Sequence, residues 1–218
     1  MRHVAVPAAL EKSRVVAILR RTEAHLAVET AEALLKGGIS VIEVTLNTPG
    51  ALDMLRAMRD AVGDRAVLGA GTVLDIAAAD EALAAGAQFI VSPHTDLDLV
   101  REMASRGVPC IPGALSPTEV LSAWRTGASV VKLFPAGPVG AGYLKDLRGP
   151  LADIPLLPTG GVTFENAATF IAAGAWGLGL GSALVAPDLV ASGRFDELTR
   201  RAAAFAVIAA GAVHDRSS

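Results

Sequence analysis

A single lysine interrupts an apolar run, Ser129-Val130-Val131-Lys132-Leu133-Phe134-Pro135. Lysine is rarely buried without a partner or a task. In a strand, Val130, Lys132 and Phe134 share one face and Val131 and Leu133 the other, so both faces are apolar apart from the amine. In an interior strand, desolvation disfavours the ammonium and leaves an uncharged amine able to attack a carbonyl carbon, the opening step of Schiff-base chemistry. The bland alternative is an edge strand that turns Lys132 to water.

Glu43 is the second candidate. It shares a strand face with Val41 and Thr45, while Ile42, Val44 and Leu46 make an apolar opposite face. An inward carboxylate near Lys132 could relay the protons that imine formation moves. It could equally be a structural ion pair with Lys132, and the two readings agree if the pair opens when substrate binds. Two glycine-rich turns, Thr159-Gly160-Gly161-Val162 and Gly179-Leu180-Gly181-Ser182, offer backbone amides of the kind that bind phosphate without a cationic side chain. His94 follows a proline and reads as a loop-capping group rather than a general acid. No His, Asp or Glu cluster has metal spacing, so neither a metal nor a cofactor is expected.

These residues converge only if the strands that carry them are neighbours. Strand periods fall at Val15–Leu19, Val41–Leu46, Ala66–Ala70, Gln88–Val91, Pro109–Ile111, around Lys132, at Pro155–Pro158 and at Trp176–Leu180. Helical periods separate them, after a short leading helix over residues 4–13, and the last runs from Phe195 to Ala210 before a frayed tail, His214 to Ser218. Asp75 and Ser116-Pro117 read as helix starts. Helix-to-strand junctions recur at Gly38, Gly86, Gly127 and Gly174, at intervals of 48, 41 and 47 residues, each holding two strand–helix units. Sustained alternation predicts an α/β fold with a parallel sheet, and eight units predict a (β/α)8 TIM barrel, residues 1–218 forming one domain. An open doubly wound sheet would carry a glycine-rich turn after its first strand, where this chain has Arg20-Arg21-Thr22-Glu23. In a barrel the carboxyl-terminal strand ends meet at one mouth, which gathers Arg20, Glu43, Thr45, Asn47, Thr72, Pro93, Lys132, Thr159, Gly160, Gly161 and Ser182. Phe134 and Gly181 belong with them as expected substrate contacts.

The 218 residues are 52% hydrophobic, with a mean hydropathy of +0.47, enough for a large core. A formal charge of −3 with dispersed cations gives no footprint for nucleic acid or an anionic membrane. One cysteine, Cys110, excludes an internal disulfide and fits a reducing cytoplasm. No signal peptide is expected in Met1–Lys12. The uncharged run Asn166–Pro187 switches from helical to strand-like spacing at Gly174 and reads as helix then strand, not a membrane span.

Several segments together resemble the 2-keto-3-deoxy-6-phosphogluconate (KDPG) aldolases, also called KHG/KDPG aldolases. They are Val16-Ala17-Ile18-Leu19-Arg20, Ile42-Glu43-Val44-Thr45, Gly69-Ala70-Gly71-Thr72-Val73, Phe89-Ile90-Val91-Ser92-Pro93-His94, Val131-Lys132-Leu133-Phe134-Pro135, Pro158-Thr159-Gly160-Gly161-Val162 and Gly179-Leu180-Gly181-Ser182. The resemblance runs in order from about residue 15 to residue 187. It implies a metal-free, homotrimeric class I aldolase that cleaves KDPG to pyruvate and glyceraldehyde 3-phosphate. It implies Lys132 as the Schiff-base lysine, Glu43 as the acid/base, Thr72 and the Pro93 carbonyl around the pyruvyl group, Thr159 near the substrate hydroxyls, and Gly160, Gly161 and Ser182 at the phosphate. Many members carry a carboxylate-binding arginine where this chain has Asn47, and Arg20 is the expected substitute. Leu46-Asn47-Thr48-Pro49 also resembles relatives that cleave the galacto epimer, 2-keto-3-deoxy-6-phosphogalactonate, whereas Thr159 matches the gluconate type. Cleavage of 4-hydroxy-2-oxoglutarate and an isomerase or epimerase on the same barrel are the other readings.

Overall fold

Apolar, β-branched runs alternate with alanine-rich amphipathic ones, and the computed structural model, which describes residues 3–214, folds them into alternating strands and helices. The strands are β1 (Val15–Leu19), β2 (Val41–Thr45), β3 (Val67–Gly71), β4 (Ile90–Val91), β5 (Cys110–Ile111), β6 (Gly113–Ala114), β7 (Val131–Leu133), β8 (Leu156–Pro158) and β9 (Leu178–Leu180). The helices are α1 (Ala8–Ser13), α2 (Ala27–Lys36), α3 (Ala51–Val62), α4 (Ile76–Ala84), α5 (Leu97–Ser105), α6 (Pro117–Thr126), α7 (Gly140–Arg148), α8 (Phe164–Ala172), α9 (Pro187–Ala191) and α10 (Phe195–His214).

Local chemistry sets the helix starts. Asp75 accepts from the Ala78 N–H at 2.8 Å, and Ser116 and Glu119 form a reciprocal capping box with Pro117 in the first helical turn. The four repeat glycines, Gly38, Gly86, Gly127 and Gly174, have φ between +85° and +115° and return the chain from a helix towards the next strand.

Every strand pairing is parallel, in two hydrogen-bonded sheets. One has the order β5-β4-β3-β2-β1-β9 and the other β6-β7-β8. The continuous ring of eight strands expected from the repeat is therefore interrupted, and the larger sheet is open. The first break is at Pro112, which separates β5 from β6 because proline has no N–H to give the ladder; its carbonyl still accepts from the Lys132 N–H at 2.9 Å. The second lies between β8 and β9, joined by an isolated bridge, Thr159 with Gly179, and by the Trp176 N–H on the Leu156 carbonyl at 2.8 Å.

Two apolar clusters show what the sheets cover. The larger lies between strands and helices. The smaller draws Val16, Val41, Phe89, Ile111, Val130 and Leu157 from both sheets into one interior. Leu10 of α1 joins it with no exposed surface, burial worth about 1.5–3 kcal/mol, so the leading helix closes the amino-terminal end. There the Arg14 guanidinium lies 4.3 Å from the centre of the Trp176 ring.

Some boundaries differ from the sequence reading. The leading helix begins at Ala8 rather than residue 4, and the closing helix runs to His214 rather than Ala210; of the expected tail, residues 215–218 lie outside the described residues. The five-residue α9 was not expected at all. The run Asn166–Pro187 divides among α8, β9 and the first residue of α9, and among the described residues no helix is long and apolar enough to cross a membrane. Cys110 is buried, and desolvation pushes its thiol up to about 12, so it packs rather than reacts.

Candidate active site

Strand alternation sends Lys132 inward from β7, between Gly113 of β6 and Leu157 of β8 in the parallel register. Its Nζ lies 4.9 Å from the centre of the Phe134 ring. Lys132 is 3% exposed. Burial pushes its ammonium below the ordinary 10.5, against the opposing pull of Glu43 and with added repulsion from Arg20.

Glu43 points inward from β2, between Ile18 of β1 and Gly69 of β3, and is 1% exposed. Its Oε1 is buried without a hydrogen-bond partner. Burial raises its carboxyl above the ordinary 4.5, while Lys132 and Arg20 pull the other way. Such an oxygen costs stability unless it is used. The space it occupies exists because residue 71 is glycine: a Cβ there would sit 1.7 Å from Oε1.

The amine opens into a cavity of about 540 Å³ at the carboxyl-terminal ends of the strands. Of the residues expected at the mouth, Arg20, Lys132, Phe134 and Thr159 line it. Gly160, Gly161, Gly181 and Ser182 line it too. Gly160 and Gly161 have φ of +79° and +81°, a pair of left-handed residues that glycine adopts without steric cost. The Gly161 carbonyl accepts from Asn166 Nδ2 at 2.9 Å, which ties this turn to the start of α8.

Other expected residues sit around the cavity or away from it. Thr72, at φ +57°, is a β-branched residue in the left-handed region, a strained conformation that clusters at functional sites. Its Oγ1 accepts from the Arg20 guanidinium at 3.2 Å. The Pro93 carbonyl abuts Gly113, the strand neighbour of Lys132, where a Cβ would lie 2.3 Å from it. His94 is exposed and its Nδ1 lies 3.0 Å from Ser92 Oγ, a local loop contact. Thr45 has no exposed surface, and its hydroxyl contacts the Leu19 carbonyl at 3.3 Å and Thr48 Oγ1 at 3.0 Å. Asn47 is exposed in a separate depression that Arg56 and Glu81 also line, because the chain turns outward after β2 through the Thr48 N–H on the Thr45 carbonyl. Thr45 and Asn47 are thus not brought to the Lys132 cavity.

Arg21, Ile18 and Val185 do line it and were not anticipated. Position alone could have found Arg21, which follows Arg20 at the end of β1.

A parallel α/β scaffold with a buried amine opening into a cavity and a buried carboxylate within its electrostatic reach holds the groups that carbon–carbon bond chemistry through a Schiff base needs. Residues 6–201 match the family model described as KDPG and KHG aldolase, and the chain belongs to that family. It is 39% identical over 192 residues to the 2-dehydro-3-deoxy-phosphogluconate aldolase of Treponema pallidum (strain Nichols), spanning 88% of this chain and 91% of that one. It is 37% identical over 196 residues to the 2-dehydro-3-deoxy-6-phosphogalactonate aldolase of Escherichia coli (strain K12), spanning 89% and 93%. Among solved structures, a Legionella pneumophila KDPG aldolase with pyruvate captured as a covalent carbinolamine superposes with a TM-score of 0.85 at 30% identity, covering 91% of this chain and 96% of that one.

Proposed function

We propose that the chain is a class I aldolase that cleaves KDPG to pyruvate and D-glyceraldehyde 3-phosphate through a Schiff base on Lys132. The observation that carries this reading is a buried Lys132 that opens into the cavity, with a buried Glu43 near enough for each to act on the other's charge, and each pushed by burial towards its uncharged form. The lone pair of Lys132 Nζ adds to the C2 ketone. Protonated Glu43 gives its proton to the departing hydroxyl, so the carbinolamine loses water and becomes an iminium. The Glu43 carboxylate so formed takes the proton of the C4 hydroxyl, directly or through water, the C3–C4 bond electrons flow into the iminium, and the aldehyde leaves. The resulting enamine takes a proton at C3 from Glu43, or from a water it orients, and hydrolysis frees pyruvate and Lys132.

Arg20 is the carboxylate anchor in this reading, steadied by Thr72, and Asn47 takes no part. The phosphate lies at the Gly160–Gly161 turn and at Gly181 and Ser182. We also read the two sheets as one functional (β/α)8 barrel, since the interior cluster spans both and the Thr159–Gly179 bridge joins them. The homotrimer and the cytoplasmic location rest on the family resemblance and on the single buried thiol. Sedimentation checks the first, with a lone 22.2 kDa species counting against it.

The relatives carry both C4 epimers in their names. Thr159 favours the gluconate: it is buried at the cavity wall, its hydroxyl donates to the Leu157 carbonyl at 3.2 Å, and its oxygen keeps a lone pair for a substrate hydroxyl. Pyruvate release from the two epimers tests this choice. Faster cleavage of the gluconate, with the preference reduced at least 10-fold in Thr159→Val, is expected; faster cleavage of the galactonate overturns it.

A further inference from the structure

The residue after Arg20 has no part in the chemistry above, yet the fold spends strain on it. Arg21 has φ +59°, a left-handed conformation unusual for a side-chain-bearing residue. Its N–H donates to Thr48 Oγ1 at 3.1 Å, and that hydroxyl pairs with Thr45, which is anchored on Leu19. Two buried hydroxyls at the end of β2 thus hold the backbone of Arg21 in place.

The guanidinium at this position is unengaged. Arg56, Arg65, Arg101, Arg106 and Arg201 are each paired with a carboxylate, whereas among the described residues no ion pair or side-chain hydrogen bond holds Arg21. Two acids, Glu23 and Asp188, line a small depression with it, but neither pairs with it: Glu23 lies 3.6 Å from His25 and Asp188 3.5 Å from Arg194. On its other side Arg21 lines the Lys132 cavity together with Gly160, Gly161 and Ser182. Those turns offer amide dipoles but no charge, and Arg20 is occupied with Thr72.

We propose that Arg21 is the charged half of the phosphate site: its guanidinium binds the terminal phosphate monoester alongside the backbone amides of the two glycine turns, and so selects phosphorylated substrates over unphosphorylated ones. The inference rests on reading the cavity as a site for a phosphorylated oxo acid. An arginine is suited to the task because its fork can hold two phosphate oxygens at once.

The test is calorimetric titration of the whole enzyme with glycerol 3-phosphate, paired with KM values for glyceraldehyde 3-phosphate and for glyceraldehyde in pyruvate addition. Arg21→Gly suits the left-handed backbone and should fold. It is expected to weaken glycerol 3-phosphate roughly 10- to 100-fold and to raise KM for glyceraldehyde 3-phosphate by a similar factor, well beyond any effect on glyceraldehyde. Arg21→Lys keeps the charge without the fork and should fall between. Unchanged affinity for glycerol 3-phosphate, or equal losses for both aldehydes, overturns the proposal. Should borohydride attach no pyruvate to the wild-type enzyme, the aldolase mechanism fails, and the glycerol 3-phosphate titration still decides the role of Arg21.

Discussion

Gly71→Ala puts one methyl group where the Glu43 carboxyl now lies. The added Cβ would sit 1.7 Å from Glu43 Oε1, 2.3 Å from Cδ and 2.6 Å from Cγ. Ordinary contact begins at 3.4 Å, so Oε1 must retreat by 3.4 − 1.7 = 1.7 Å. A misplacement of about 1 Å in a reacting group can cost about 100-fold in rate, so kcat for pyruvate release should fall at least about 100-fold. Residue 71 is not among the left-handed glycines, so alanine meets no backbone penalty there and the cost is one of overpacking, about 1–3 kcal/mol. Pyruvate release followed with a coupled dehydrogenase reads the rate, and thermal melting shows whether the variant is folded. Gly142→Ala is the control, because its Cβ meets nothing within 4 Å, and it should retain full activity. A folded Gly71→Ala enzyme with more than a third of wild-type kcat would refute the placement of Glu43 in the chemistry.

Burial of Glu43 and Lys132 makes stability depend on pH in two opposite senses. A carboxyl raised above 4.5 binds its proton more tightly in the folded chain, so its contribution is complete below 4.5 and is lost as pH rises through the raised value; Glu43→Gln should gain stability on wild type as pH rises above 4.5. An ammonium lowered below 10.5 behaves the other way: its contribution is present above 10.5 and is lost as pH falls through the lowered value, so Lys132→Met should gain as pH falls below 10.5. Denaturant midpoints measured across pH check both, and differences that stay flat with pH contradict them. Thr72→Gly should relieve the φ +57° strain, adding about 1 kcal/mol of stability, while removing the hydroxyl that steadies Arg20 and raising KM for pyruvate several-fold. An unaltered KM would separate Thr72 from the carboxylate anchor.

The parallel strand–helix order was legible because β-branched runs and alanine-rich amphipathic runs differ in period, and because glycines end four of the helices at regular intervals. What escaped were features shorter than a period. The five residues of α9 span little more than one turn, and β6 is two residues beyond a proline. Within the site, Lys132 and Glu43 stood out as charges in apolar strands. Alternation also turned Thr45 inward, but could not show that its hydroxyl was already engaged by Leu19 and Thr48. Asn47 lies past the end of β2, where strand periodicity no longer governs direction. The left-handed backbones of Arg21 and Thr72 have no sequence signal, since neither residue type favours that region; tertiary contacts impose them.

Reduction of the enzyme with borohydride in the presence of pyruvate, followed by peptide mass spectrometry, tests the covalent role of the buried amine most directly. A reduced pyruvyl adduct on Lys132, absent from Lys132→Met, is the expected result. No adduct, or one carried by a surface amine such as Lys145, would contradict it.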